Sequence, residues 1–191
     1  MMHKLIFTTG LIFLLNACGG GTGKTPIIYT PHANDTPAVL ASTKQAYLDA
    51  INHERSAPQN CGIKGIKPAV SPLVWNDNLY KAAYEHSEDL AVSNTFSHSG
   101  SGTNSDWTAQ VQNLGEGSTF KERSENNGYI GWKTLGENIA KGQTSITQVI
   151  KSWMDSDGHC ANMMSAKYTE IGMAQFEKDG SIYWTQNFGA R

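Results

Sequence analysis

The chain closes on two β-rich runs, Glu170 to Glu177 and Ser181 to Phe188, on either side of Lys178-Asp179-Gly180. Asp-Gly between two such runs is a strong signal for a tight antiparallel hairpin. Upstream the apolar period changes from two to 3.6. Ser42 with Gln45 three residues on makes a capping-box pattern, and Ala46, Tyr47, Ala50 and Ile51 carry a helix to about Arg55. Asn76 can cap a second helix whose Leu79, Ala82, Ala83, His86 and Leu90 share one face. Ser145 with Gln148 opens a third, with Ile146, Val149, Ile150 and Trp153 on one face and Gly158 as its stop. Helices first and an antiparallel hairpin last predict an α+β fold and exclude a doubly wound parallel sheet. Between Ser99 and Gly136 the chain is rich in Gly, Ser, Asn and Thr, which predicts long loops with at most short elements.

The N-terminus stands apart from this domain. Lys4 followed by the apolar run Leu5 to Leu15 reads as a secretory signal over residues 1–17, too short to span a bilayer as a helix. Leu15-Asn16-Ala17-Cys18 resembles the lipobox cleaved ahead of a lipidated cysteine in bacterial lipoproteins; the alternative is an ordinary signal in which Cys18 is incidental. Two or more acyl chains on Cys18 would anchor the protein to a membrane without a spanning helix. Gly19, where an aspartate would direct inner-membrane retention, favours the outer membrane in a Gram-negative cell. Residues 18–42, with Gly19-Gly20-Gly21-Thr22-Gly23 and prolines at 26, 31 and 37, form a tether, leaving residues 43–191 as one domain. The net charge of −2 becomes −3 once Lys4 leaves, and there is no Lys/Arg run. Nucleic acid is therefore not an expected partner, and a monomer is expected.

With Cys18 assigned to lipid, Cys61 and Cys160 remain as an even pair in an exported chain and are predicted to be bonded, two buried thiols being the alternative. Cys160 adjoins His159, so this bond would also pin a candidate site residue.

Among those candidates, His98 lies in a Ser/Gly-rich loop, where solvent exposure and a ligand role are equally compatible with its neighbours. Glu137, between Gly136 and Asn138, would need a partner if buried. His159 follows the third helix, where the C-terminal dipole favours a cation, so simple helix capping competes with a site role. His86, on an apolar helix face, reads as a core histidine. His53-Glu54 lacks a second His at zincin spacing, and no GxSxG elbow or CxxC pair occurs. Ser156, Asp157 and His159 are too close in sequence for a triad relay.

Six segments together are more specific than any of them alone. Asn52-His53-Glu54-Arg55, Leu79 through Ala91, Phe96-Ser97-His98, Gly136-Glu137-Asn138-Ile139-Ala140, Trp153 through His159 and Tyr183 through Gly189 occur in the order seen in the CAP superfamily. That family, also called SCP, includes cysteine-rich secretory, antigen 5 and pathogenesis-related 1 proteins. The resemblance implies an α-β-α sandwich with a small antiparallel sheet between helical layers, and a cleft lined by His and Glu that often holds a divalent cation. Its ligands fall on His98, Glu137 and His159; the fourth position, a glutamate in many members, is Ser156. Two His and one carboxylate form a sensible Zn2+ set, but neither a free base nor an oxyanion donor is identifiable, so no catalytic residue is assigned.

The reading is a membrane-tethered binding module for a lipid, an envelope component or a protein, with a cleft for zinc or another divalent cation. A metal-dependent hydrolase using that cleft and a structural envelope protein with a vestigial cleft are the alternatives. Trp107, Tyr129 and Trp132, in the long loops, either contact a ligand or pack the loops.

Overall fold

The structure is a computed structural model that describes residues 36–191. The signal segment, Cys18 and the tether up to residue 35 lie outside the described residues.

Helix α1 (Ala41–Arg55) begins at Leu40, which supplies no side-chain cap. Ser42 therefore sits inside the first turn rather than capping it, and Gln45 donates to Asp49 at 2.7 Å, one turn on. A small hairpin follows, strands β1 (Gln59–Asn60) and β2 (Ile66–Lys67) pairing antiparallel around a 3-10 turn at Gly62–Lys64. Strand β3 (Val74–Trp75) leads into α2 (Asp77–Ser93). Asn76 caps α2 as its side-chain type predicts, its Oδ1 accepting from the N–H groups of Asn78 and Leu79 at 2.9 and 3.2 Å. The long polar stretch contains the short helices α3 (Trp107–Gln112) and α4 (Phe120–Asn126) and then strand β4 (Thr134–Lys141).

Helix α5 (Ile146–Met154) opens at Ser145, whose Oγ accepts from the Gln148 N–H at 3.2 Å. Gln148 reaches back one residue further than a capping box requires, accepting from the Thr144 N–H at 2.9 Å. The helix ends at Met154, and a separate helix α6 (Asp157–Met163) starts almost at once. Gly158 is thus inside α6 rather than a stop signal. His159 lies in the first turn of α6, so the expectation of a helix C-terminus around it is overturned. Strands β5 (Glu170–Lys178) and β6 (Ser181–Ala190) form the expected hairpin, and Asp179 and Gly180 take φ of 51° and 75°, the paired positive values of a type I′ turn.

The main sheet runs β3-β5-β6-β4. It is antiparallel except at its edge, where β3 pairs with β5 in parallel over two residues. Strand alternation separates two helical layers. Ile171 and Met173 of β5, with Trp184 and Phe188 of β6, pack against Tyr47 and Ile51 of α1 and Val149, Ile150 and Trp153 of α5. The intervening residues face α2, where Ala174 packs with Tyr80 and Ala83. Gly172 lies so close that a Cβ there would overlap the backbone of Leu79 and Tyr80, so glycine is what lets α2 settle onto β5. This is the α-β-α sandwich. All four buried clusters draw their members from residues between Tyr47 and Phe188, so the described residues enclose a core of their own.

Two fasteners tie α6 to the N-terminal half. Cys61 and Cys160 are disulfide-bonded, with Cα atoms 5.4 Å apart. The buried Arg55 guanidinium donates to the carbonyls of Ser71 (2.7 Å) and Met163 (2.6 Å). Among the described residues no helix is long and apolar enough to cross a membrane.

Candidate functional site

Glu137 projects from the central part of β4, and its carboxylate is 1 % exposed. Both oxygens are engaged. Oε1 accepts from His98 Nδ1 at 2.9 Å, and Oε2 accepts from Arg123 Nη2 at 2.9 Å. The Asn187 amide, oriented with its nitrogen towards Glu137 Oε2 (3.2 Å) and its oxygen towards the Ala83 N–H (3.1 Å), satisfies both contacts. Burial alone would push the Glu137 carboxyl up; the Arg123 guanidinium overrides this, helped by the hydrogen bond from His98, and holds it at about 2. An ionised carboxylate only accepts hydrogen bonds, so His98 Nδ1 carries the proton and its Nε2 lone pair is left free. The His98 side chain is 54 % exposed.

Arg123 is itself fully buried and comes from the middle of α4. That helix is nucleated by a closed capping box, Thr119 Oγ1 accepting from the Glu122 N–H and Glu122 from the Thr119 N–H. Besides Glu137, Arg123 donates to the carbonyl of His98 at 2.9 Å and that of Ser118 at 2.6 Å. One guanidinium therefore neutralises the carboxylate and fixes the backbone that carries the imidazole. The same loop is clamped from α2, where Asp89 accepts from the Ser101 N–H at 2.7 Å, and by Asp106, which accepts from the Ser118 N–H at 2.8 Å.

His159 approaches from α6. Burial lowers its pKa, and the charge on His98 lowers it further. Asn138 donates to the His159 carbonyl at 3.4 Å, and Asn162 of α6 donates to Asn138 Oδ1 at 3.0 Å and to the Glu137 carbonyl at 3.3 Å. Glu137 and His98 are in direct contact, and α6, which carries His159, is hydrogen-bonded to β4 beside them. Ser156 precedes α6 as its cap residue, and Asp157 accepts from the Ile63 N–H at 3.1 Å, so Ser156, Asp157 and His159 form no relay among the described residues.

Glu137 is placed as a partner of His98 and Arg123 rather than as a third metal ligand. Among the described residues no group of three His, Cys, Asp or Glu side chains is placed to hold a metal ion. Glu137 has both oxygens committed to His98, Arg123 and Asn187, and what faces outward is imidazole nitrogen.

Sequence reasoning missed Arg123 and Asn187, whereas its reading of His86 as a hydrogen-bonded core histidine agrees with the structure. His86 is fully buried and donates through Nε2 to the Ser97 carbonyl at 3.0 Å, but that nitrogen also lies 3.8 Å from Glu137 Oε1. The pattern Thr119-x-x-Glu122 signals the start of α4 and would have drawn attention to Arg123. Nothing local marks Asn187. Of the loop aromatics Tyr129 is a packing group, fully buried and donating to Glu170 at 2.6 Å; Trp132 is half-buried and donates to Glu125 at 3.0 Å, and Trp107 opens α3.

The buried groups predict an unusual acid profile. Burial raises Glu85 to about 7 against its hydrogen bonds from Thr108 and Asn127. Burial lowers its neighbour His86 to about 3. As pH falls from 6.5 to 4.5, the unfolded chain takes up a proton at His86 that the folded protein refuses, so stability drops. Glu85 is already protonated in the fold and not yet in the unfolded chain, so it contributes the opposite slope. The two nearly cancel. Glu85→Gln should expose the His86 slope, a loss of roughly 2 kcal/mol between pH 6.5 and 4.5 in urea unfolding. A flat profile in that variant would contradict the assignment.

Comparison with known proteins agrees with this architecture. The model of the cysteine-rich secretory protein family, CAP, matches residues 48–188. The uncharacterized protein YkwD of Bacillus subtilis is 32% identical over 159 residues, covering 83% of this chain and 51% of YkwD. The uncharacterized membrane protein YlbC of the same organism is 28% identical over 64% of this chain and 30% of its own length. The chain thus spans about half or less of these curated relatives. Its fold is shared by an extracellular SCP-domain protein of Bacillus anthracis (TM-score 0.55, 21% identity, 82% of this chain and 45% of that one). An outer surface protein of Borrelia burgdorferi also shares it (TM-score 0.57, 19% identity, 78% and 92%), as does NaASP2, solved with Zn2+ (TM-score 0.50, 15% identity, 80% and 82%). From first helix to last strand the matched span is the sandwich itself, and the chain belongs to the CAP family.

Proposed function

We propose that this protein is an exported, envelope-tethered CAP module that binds rather than hydrolyses. The observation that carries this reading is the saturation of Glu137. The Glu137 carboxylate is held ionised at about 2 and is committed to Arg123, Asn187 and His98, so it is a poor proton acceptor near neutral pH. The residues that would hold a divalent cation are His98 and His159, with water completing the coordination; such an ion would supply a charged anchor for a ligand group. Glu137 would act behind His98, as carboxylates behind metal-bound histidines do. Zinc in the fold relative NaASP2 and the lipobox-like Cys18 support the metal and tether parts of the proposal.

A groove of about 720 Å³ between α1 and α5 favours a lipid among the ligand classes. Ala46, Ala50, Ile150 and Met154 line it, and its polar wall sets Lys151 beside Asp49 and Glu54.

Metal analysis after equilibration with zinc tests the proposal. The wild type should retain zinc, and His98→Ala and His159→Ala should lose it. The paired variant Arg123→Met/Glu137→Gln, which keeps the buried site neutral, should still bind, about 10- to 100-fold more weakly. Near-zero metal in the wild type would remove the cation. Zinc-dependent hydrolysis abolished by both histidine variants would favour the hydrolase instead.

A further inference from the structure

Ile63 and Ile66 are the most exposed large apolar side chains among the described residues, at 89 % and 76 %. They belong to the run Gly62-Ile63-Lys64-Gly65-Ile66-Lys67, which turns the chain after β1 and forms β2. Gly62 and Gly65 take φ of 55° and 74°, which allows the chain to reverse within so short a span.

The tip is firmly built. The Lys64 N–H donates to the Cys61 carbonyl at 3.0 Å, the Gly65 N–H to Gly62 at 2.9 Å, and the Cys61 N–H to Gly65 at 3.1 Å. Asp157 accepts from the Ile63 N–H, and the disulfide holds the base of the tip to α6. The two isoleucines are therefore fixed in water by an ordered scaffold. Three residues apart, their Cα atoms lie within about 11 Å of each other, so both meet the same patch of any surface.

Charge identifies that surface. Residues 56–76 contain Lys64 and Lys67 and no Asp or Glu. Among the described residues neither lysine forms an ion pair. Among the described residues Asp157 is the carboxylate bonded to the tip, through the Ile63 N–H, so one negative charge stands against the two lysines and the tip stays net positive. Apolar side chains beside unpaired ammonium groups match the boundary between acyl chains and anionic headgroups. A second copy meeting the tip symmetrically would instead oppose the same lysines to one another.

We propose that the Gly62–Lys67 tip is a membrane-docking element that inserts Ile63 and Ile66 into an anionic phospholipid surface. It is separate from the histidine cleft and does not require lipid on Cys18, although such an anchor would raise its local concentration.

Co-sedimentation of residues 19–191, which include the whole described domain but no acylated cysteine, tests this with vesicles of phosphatidylcholine alone or mixed with phosphatidylglycerol. The protein should bind the anionic vesicles preferentially. Ile63→Ser/Ile66→Ser should weaken binding at least about tenfold, and Lys64→Gln/Lys67→Gln about 20-fold with loss of salt dependence. Ile130→Ser, at another exposed isoleucine, should leave it unchanged. Equal binding by the Ile63/Ile66 double variant, indifference to vesicle charge, or self-association of the free protein through this tip would overturn the proposal.

Discussion

Arg123→Met is expected to destabilise the domain by about 3–5 kcal/mol at pH 7, because it leaves the Glu137 carboxylate buried without its cation. The methionine fills similar volume, so the loss comes from the unpaired carboxylate and from the His98 and Ser118 carbonyls left without their donor rather than from a cavity. Glu137 would respond by taking up a proton, which reverses its contribution to the pH profile. In the wild type its depressed pKa contributes stability that is present above pH 4.5 and lost as pH falls towards 2. In Arg123→Met the raised pKa makes the protein more stable, relative to neutral pH, under mild acid. Adding Glu137→Gln should recover part of the loss. Urea unfolding of the two variants at pH 7 and pH 5 checks both statements; a loss under about 1 kcal/mol in Arg123→Met would show that the pair is not the electrostatic centre of the site.

Reduction of Cys61–Cys160, or its replacement by serines, should cost up to about 4–5 kcal/mol, the chain-entropy value for a sequence separation of 99 residues. For a domain of this size that corresponds to a fall in Tm of about 10–15 °C. The local consequence is as informative. The bond holds the β1–β2 hairpin to α6, and α6 carries His159, so its loss should loosen the second imidazole. His98, fastened through Arg123 and Asp89, should keep its position. Thermal scans with and without reductant measure the first effect, and histidine resonances of the reduced protein the second. Equal broadening of His98 and His159 would contradict the separate fastening.

Much of the fold was legible in short-range signals. Asp179-Gly180 specified the hairpin because few residue pairs accept two positive φ values, and Asn76 specified the start of α2 because its oxygen can satisfy two free N–H groups. The disulfide was expected from the two cysteines that remain once Cys18 is set aside as a lipidation candidate in a chain read as exported. What escaped were features set by tertiary packing. Leu40 caps nothing with its side chain, yet α1 starts there and Ser42 is absorbed into the first turn. The break between α5 and α6 falls at Asp155 and Ser156, so a pattern read as one helix with a glycine stop became two helices.

At the site, His98, Glu137 and His159 were visible as residue types in recurring segments. Their division of labour was not. Whether a glutamate is a ligand or a counter-ion depends on what lies within 3 Å of it, and here Arg123 comes from a helix 14 residues earlier whose placement depends on packing. Asn187 reaches the same carboxylate from the neighbouring strand, through a register that no local pattern encodes.

The central claim is that Glu137 orients His98 and balances Arg123. The most direct measurement is the long-range 1H–15N correlation spectrum of His98 in the labelled, metal-free domain at pH 8. A proton fixed on Nδ1, with Nε2 as the unprotonated nitrogen, is the predicted result. A proton on Nε2, or rapid averaging between the two nitrogens, would contradict it.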